Sequence, residues 1–290
     1  MSLVYSFKNF FTSKLTDRQT RLLRNIVEPP FLFSSRSKDS VLILGCQRSG
    51  TTLTYLIFNS HPQVRGIDET ETGYSFPHQS VLYRNSRQNY LTCLKLPNQT
   101  FNFDYIRQHF PQTKIVVPMR DPYQVVDSMR SFKIQDKQRQ GNWLNFFAKS
   151  ELLRLGNSFF PEIFALDLDR LDEISLGAYV WKYKIMAIEK YKRSGFKTLV
   201  FKYEELLKNP HRVIGNILNF TDLAWDDIVL NHQNYYDGDS KRYPGGTRAD
   251  RPIDTSNKKR QLNLSPSQID SITSICQAPM KTYGYQKIVI

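Results

Sequence analysis

The sequence predicts an α/β fold, a single three-layer domain whose central parallel sheet is flanked by helices. Two patterns carry this expectation. Short apolar runs of β type recur along the chain, each followed by a stretch with helical spacing, which is the alternation a parallel sheet with crossover helices requires. At two of these handovers the run passes into its helix through a loop suited to an anion. Composition agrees: the 290 residues are 40% hydrophobic and 23% charged with only 13 Gly and 14 Pro, which excludes disordered and collagen-like chains. At ~150 residues per domain the length allows two domains. An α/β fold of this size commonly shares one core, so the expected organisation is a helical extension over residues 1–38 and one domain over 39–290.

The elements follow in order. The stretch MSLVYSFKNFFTSKLTDRQTRLLRNIV breaks its apolar residues with Lys8, Lys14, Asp17 and Arg18. It has neither a signal-peptide run nor the ~20 apolar residues of an anchor, so a soluble protein is expected. Val4, Phe7, Phe11 and Leu15 among basic residues suit a helix packed on the domain or, alternatively, a basic amphipathic helix on a membrane surface. SVLILGCQRSG (40–50) is a buried strand ending in a glycine-bounded loop, and TTLTYLIFNS (51–60) is a helix closed by His61-Pro62. YLTCLKLP (90–97) ends a further strand. KIVVPM (114–119) is a strand broken near its end by Pro118, and residues 122–132 are a helix with proline in its first turn. Residues 176–191 are helical and rich in aromatics, with Trp181 and Tyr183 expected in the core. KTLVFK (197–202) is another buried strand, and residues 211–220 form a helix after Asn209-Pro210. The long irregular stretches are expected near 66–90 and 232–262.

Forty Lys and Arg against 27 Asp and Glu give a formal charge of +13, a field that favours anionic partners without choosing among nucleotides, nucleic acids, glycans and acidic lipids. Cys46, Cys93 and Cys276 cannot form a disulfide framework, and no metal-ligand spacing of Cys or His occurs. A reducing, cytoplasmic setting and no metal are therefore expected.

The first loop, Gly45-Cys46-Gln47-Arg48-Ser49-Gly50-Thr51-Thr52, has the spacing of a phosphate loop, with Thr51 where that pattern carries its lysine. Its glycines let backbone N–H groups point inward, and the helix N-terminus adds partial positive charge. In nucleoside triphosphate enzymes the lysine reaches the β- and γ-phosphates, so a loop without it suits a shorter 5′ anhydride. A degenerate kinase or NTPase loop is the alternative, and no strand ends in a clear Mg²⁺-holding carboxylate; Asp167 and Asp169 lie in what reads as a loop. At the second handover Arg120-Asp121-Pro122 follows KIVVPM, and Ser128 lies two turns along the helix. Arg120 and Ser128 could converge on a second anion.

These residues resemble the sulfotransferases that use 3′-phosphoadenosine 5′-phosphosulfate (PAPS). Residues 45–53 look like their 5′-phosphosulfate loop and Met119-Arg120-Asp121-Pro122 with Ser128 like their 3′-phosphate site. Phe201-Lys202-Tyr203-Glu204-Glu205-Leu206 with Pro210 resembles a third shared stretch. The likeness runs from about residue 40 to 220 and implies a P-loop-containing nucleotide-hydrolase-like fold, PAPS as co-substrate and 3′-phosphoadenosine 5′-phosphate (PAP) as product. It implies nucleotide contacts from Gln47, Arg48, Ser49, Gly50, Thr51, Thr52, Leu53, Arg120, Ser128 and Tyr203. The segment His61-Pro62-Gln63-Val64-Arg65 leading to Asp68-Glu69-Thr70 resembles tyrosylprotein and related glycan sulfotransferases, and the glutamate base of those enzymes falls on Glu69. Asp68, Glu71 and His78 are the other candidates. The arginine that follows the Glu-Thr pair in tyrosylprotein enzymes is Glu71 here, so peptide specificity does not carry over. Lys95 matches the lysine that neutralises the leaving group, a duty Arg48 could share.

The basic segment 248–260 looks like the flap that closes over the nucleotide in such enzymes, with Ser256 and Lys259 as phosphate contacts, or else is a solvated charge run. The acceptor loops are expected at 66–90, 133–165 and 232–255. Basic, amide and aromatic residues over 133–153 suit a glycan, glycolipid or other polar hydroxyl or amine acceptor. No nucleic-acid motif occurs, so nucleic acid is not an expected partner; a non-catalytic basic module is the third reading.

Overall fold

The computed structural model describes residues 40–77, 82, 85, 89–135, 140–236, 242–243, 246–256 and 261–288. The proposed helical extension over 1–38, together with His78 and Lys259, lies outside them.

Five parallel strands form the central sheet: β1 (Ser40–Ile43), β2 (Val64–Asp68), β3 (Leu91–Lys95), β4 (Lys114–Met119) and β7 (Thr198–Lys202), in the order β2-β3-β1-β4-β7. Two short antiparallel ladders lie outside it, β5 (Lys133–Gln135) with β6 (Gln140–Asn142) and β8 (Arg242–Tyr243) with β9 (Thr247–Arg248). The helices are α1 (Thr51–Ser60), α2 (Phe103–His109), α3 (Pro122–Ser131), α4 (Lys149–Ser158), α5 (Glu173–Arg193), α6 (Tyr203–Lys208), α7 (Pro210–Phe220), α8 (His232–Tyr235) and α9 (Pro266–Thr282).

The apolar runs form strands because both faces of the sheet are covered, so alternate residues enter two separate cores. Val41, Ile43 and Val116 join Tyr55–Phe58 of α1 and Val213, Ile214 and Ile217 of α7. Leu42, Leu44, Ile115 and Val117 join α3, α4, α5 and α9 on the other face. Trp181 and Tyr183 are buried in that second core, as their helical spacing predicts.

Four details differ from the sequence expectation. Residues 64–68 lie in the stretch read as loop, yet Val64–Asp68 pairs with β3 along its whole length as the edge strand β2. Its apolar side chains that meet the core are Val64 and Ile67 alone, separated by Arg65 and Gly66, so local composition hides it. Thr198–Lys202 is the opposite edge and only half-buried, because just one neighbour, β4, pairs with it. Pro118 does not break β4, which continues to Met119 with Pro118 in register with Phe201. Part of the presumed acceptor region 133–165 is also regular, since α4 occupies Lys149–Ser158.

The sheet order matters for function. The crossover after β1 runs toward β2, whereas the one after β4 runs toward β7, so their loops part company above neighbouring strands. Such a switch point leaves a crevice at the carboxyl ends of the strands, where open α/β sheets bind ligands.

Candidate active site

The loop from Gly45 to Gly50 leaves β1 at this crevice. Gly45 (φ 114°) and Gly50 (φ 94°) adopt left-handed backbone, and Arg48 joins them at φ 67°. A non-glycine residue held there is strained and persists because its surroundings over-determine it. Two contacts do so: Arg48 Nε donates to Ser128 Oγ at 3.1 Å, and Arg120 Nη1 donates to the Arg48 carbonyl at 3.3 Å. The Arg48 guanidinium also stands 4.9 Å over the Phe132 ring. Gly50 is the N-cap of α1 and no side chain caps that end, which leaves the first-turn amides of Thr51 and Thr52 toward the crevice. Thr51 and Thr52 are buried and Leu53 is half-buried. Ser49 is fully buried beside the Cys46 thiol, whose pKa burial pushes up to about 12. The amide oxygen of Gln47 is also buried, without a hydrogen-bond partner among the described residues.

The second handover is tied to the first. Asp121 caps α3, its Oδ1 accepting from the N–H groups of Tyr123 (2.9 Å) and Gln124 (3.1 Å). Arg120 is fixed by three neighbours: Nη2 donates to Gln124 Oε1 at 3.2 Å, Trp181 Nε1 donates to its carbonyl at 3.0 Å, and its guanidinium lies 4.9 Å over the Tyr203 ring. Tyr203 also covers the first loop, since a Cβ added at Gly50 would collide with its ring. Glu204, next in sequence, accepts from the Asp121 N–H at 2.9 Å and from the Tyr285 hydroxyl at 3.2 Å. One short corner at the end of β7 thus straps both handovers together.

A third group stands at the ends of β2 and β3. Parallel register places Ile43 beside Lys95 and Lys95 beside Asp68, so the strands bring these residues to one row. Lys95 Nζ lies 2.7 Å from Asp68 Oδ2 and 3.0 Å from Glu69 Oε1. The three residues are 1%, 1% and 6% exposed for Lys95, Asp68 and Glu69. Glu69 is therefore buried, although it lies just past the end of an edge strand. Burial holds its carboxyl above the usual carboxylate range, Lys95 opposes this and the Asp68 charge reinforces it. A buried glutamate with raised proton affinity has the character of a general base. Glu71 is drawn elsewhere, its Oε1 accepting from the Asp68 N–H at 3.2 Å.

The turn after β3, Pro97–Gln99, joins these parts. Thr100 Oγ accepts from the Gly45 N–H at 2.9 Å, and the side-chain amides of Asn98 and Gln99 donate to the Tyr74 carbonyl in the Glu69 loop. Beneath it Lys184, fully buried on α5, donates to the Pro97 carbonyl at 2.6 Å and pairs with Glu151 Oε2 at 2.6 Å.

The candidate residues therefore form two groups. Gln47 to Leu53, Arg120, Ser128 and Tyr203 gather at the switch point, with Ser128 directed at Arg48 rather than at Arg120. Glu69 and Lys95 meet on the adjacent strand ends. Ser256 is in an exposed turn, its N–H donating to Asp254 at 3.0 Å, with no hydrogen bond to the first group among the described residues. Thr100, Glu204 and Lys184 have no role in the sequence reading, and Asp68 enters it only as an alternative base. Only Lys184 carried a signal: Gly177, Trp181, Lys184, Ile188 and Tyr191 mark one buried helical stripe, and a lysine on it needs a buried partner.

Fold and loops together define a phosphate-loop-like α/β protein. The chain belongs to the sulfotransferase family, whose model matches residues 40–79 and 71–227, together well over half of its length. It is 23% identical over 240 residues to protein-tyrosine sulfotransferase 1 of Danio rerio, covering 70% of this chain and 58% of that protein. The chain thus spans a little over half the length of the curated relative it matches. Similar solved folds include the sulfotransferase domain of the Synechococcus PCC 7002 olefin synthase, with TM-score 0.55 and 16% identity over 89% of this chain and 99% of that one. A mouse sulfotransferase, SULT7A1, complexed with PAP, has TM-score 0.50 and 15% identity over 87% of each chain. All three cysteines are free and buried, and among the described residues no helix is long and apolar enough to cross a membrane.

Proposed function

We propose that the protein transfers a sulfuryl group from PAPS to the hydroxyl, or amine, of a polar acceptor such as a glycan or glycolipid. The observation that carries this reading is the direct contact of Arg48 with Ser128 and Arg120, which makes one continuous anion-binding floor of two strand-to-helix handovers. PAPS is anionic at both its 5′ and 3′ ends. A floor of this kind suits it better than a nucleoside triphosphate, since Thr51 stands where a phosphate-loop lysine would reach further phosphates.

In this reading the loop amides from Ser49 to Thr52, with Gln47 and Leu53 alongside, hold the 5′-phosphosulfate. Arg120 and Ser128 hold the 3′-phosphate, Tyr203 closes over the nucleotide, and Ser256 and Lys259 belong to a flap. Glu69 takes the acceptor proton as the acceptor oxygen bonds to sulfur, while the bond from sulfur to the 5′-phosphate oxygen breaks. Arg48 and Lys95 offset the charge that develops on that phosphate. The products are a sulfate ester and PAP. The free cysteines suit a reducing compartment such as the cytoplasm.

Transfer of labelled sulfate from PAPS to a panel of glycans, glycolipids, peptides and phenols tests the reading. Glu69→Gln should lower kcat by roughly 10²-fold or more, as for loss of a general base, and Arg48→Ala should lower it comparably. Wild-type turnover in both variants would remove the assigned roles. Binding of ATP with Mg²⁺ in preference to PAP would instead favour a kinase or NTPase.

A further inference from the structure

We infer that Asp68 is a positioning residue for the transfer step: it anchors the Lys95 ammonium from the side opposite Glu69, so that Lys95 is shared between two carboxylates instead of neutralising Glu69 alone. The inference rests on the proposed reading of Glu69 as base. Its grounds are geometric. Lys95 Nζ sits 2.7 Å from Asp68 and 3.0 Å from Glu69, and neither Lys95 nor Asp68 is more than 1% exposed. Asp68 cannot turn away, because its Oδ1 accepts from both the N–H (2.9 Å) and the hydroxyl (2.7 Å) of Thr70, which leaves Oδ2 for the lysine.

One ammonium between two buried carboxylates leaves the cluster with an excess negative charge. That arrangement suits a base. An ammonium wholly committed to Glu69 would stabilise the carboxylate and weaken its affinity for the acceptor proton, whereas a second carboxylate on the far side opposes this. The other groups acting on Glu69 are Lys184 from α5, whose charge works in the direction of Lys95, and the Tyr74 phenol in the following loop, which feels the Glu69 charge. Glu71 lies on the Asp68 side, bonded to its N–H.

Two substitutions separate charge from turn geometry. Asp68→Asn keeps an oxygen to accept from Thr70 and removes the charge; Thr70→Val removes the hydroxyl donor and keeps the charge. A glutamate δ-carbon NMR titration, with the Glu69 signal assigned by its loss in Glu69→Gln, reads the carboxyl midpoint without any need for activity. In Asp68→Asn the midpoint should fall by roughly one pH unit, the scale of a neighbouring like charge removed, and the acid limb of the kcat/KM profile should move with it. Thr70→Val should leave both where they are in the wild type. An unchanged midpoint in Asp68→Asn overturns the inference. So does a wild-type midpoint below the ordinary carboxylate range, a result that needs no folded variant. A midpoint that shifts while the acid limb stays still upholds the charge sharing and removes Glu69 as the base.

Discussion

Asp121 shows how much a single side chain carries in this site. It caps α3, and its N–H is bound by Glu204, so the residue is enclosed on both sides. Burial pushes its carboxyl from 3.8 up to about 6; the helix amides work against this and the Glu204 charge adds to it. A folded-state value above the unfolded one means that folding favours the protonated form. The corresponding stability is fully present below pH ~4 and is lost as pH rises through about 6. Asparagine keeps the capping oxygen without the charge. Relative to Asp121→Asn, the wild type should therefore lose up to about 3 kcal/mol between pH 4 and 7, at 1.36 kcal/mol per unit. Denaturant unfolding of both proteins at the two pH values measures it, and parallel pH dependences would show that Asp121 ionises freely.

Among the elements, α5 has the widest reach into the site. Trp181 holds the Arg120 carbonyl, and one turn on, Lys184 holds the Pro97 carbonyl and Glu151. The helix thus sets the heights of two loops that come from different strands. Removing one partner of a buried pair leaves the other charge uncompensated, which typically costs about 3–5 kcal/mol, whereas replacing both with apolar groups is often near neutral. Lys184→Met should lower stability by that amount, and Lys184→Met with Glu151→Leu should recover most of it. The double variant still lacks the donor to Pro97, so its kcat should remain below wild type even where its unfolding midpoint does not. Full recovery of kcat would confine the pair to a role in stability.

For the whole molecule the relevant quantity is the field. A charge of +13 draws small polyanions toward the protein, and this long-range part is screened once the Debye length falls to about 10 Å at 0.1 M salt. Short contacts inside the floor, such as Arg48 with Ser128, are screened less. PAP binding followed by calorimetry should accordingly weaken with rising salt and then level off. At a ligand concentration 100 times Kd, bound PAP should stabilise the fold by about 2.7 kcal/mol, visible as a raised Tm. No change in Tm with PAP, at concentrations where ATP does raise it, would count against the proposed nucleotide.

The amino-acid sequence by itself determined the strand-loop-helix units, because the forces that make them are local. Apolar runs covered on both faces became β1, β3 and β4, glycines supplied the left-handed turns at 45 and 50, and Asp121-Pro122 started α3. The phosphate-loop spacing and the Arg120 handover were legible for the same reason. Tertiary structure alone decided how those units meet. Val64–Asp68 became a strand only because β3 offered it an edge, and with it Asp68 and Glu69 were carried into a buried row beside Lys95. Arg48 found Ser128 across 80 residues, Asp121 found Glu204 across 83 and Lys184 found Pro97 across 87. No local pattern encodes such partners: a buried donor or charge must be satisfied, but which distant group satisfies it follows from the order and register of the strands.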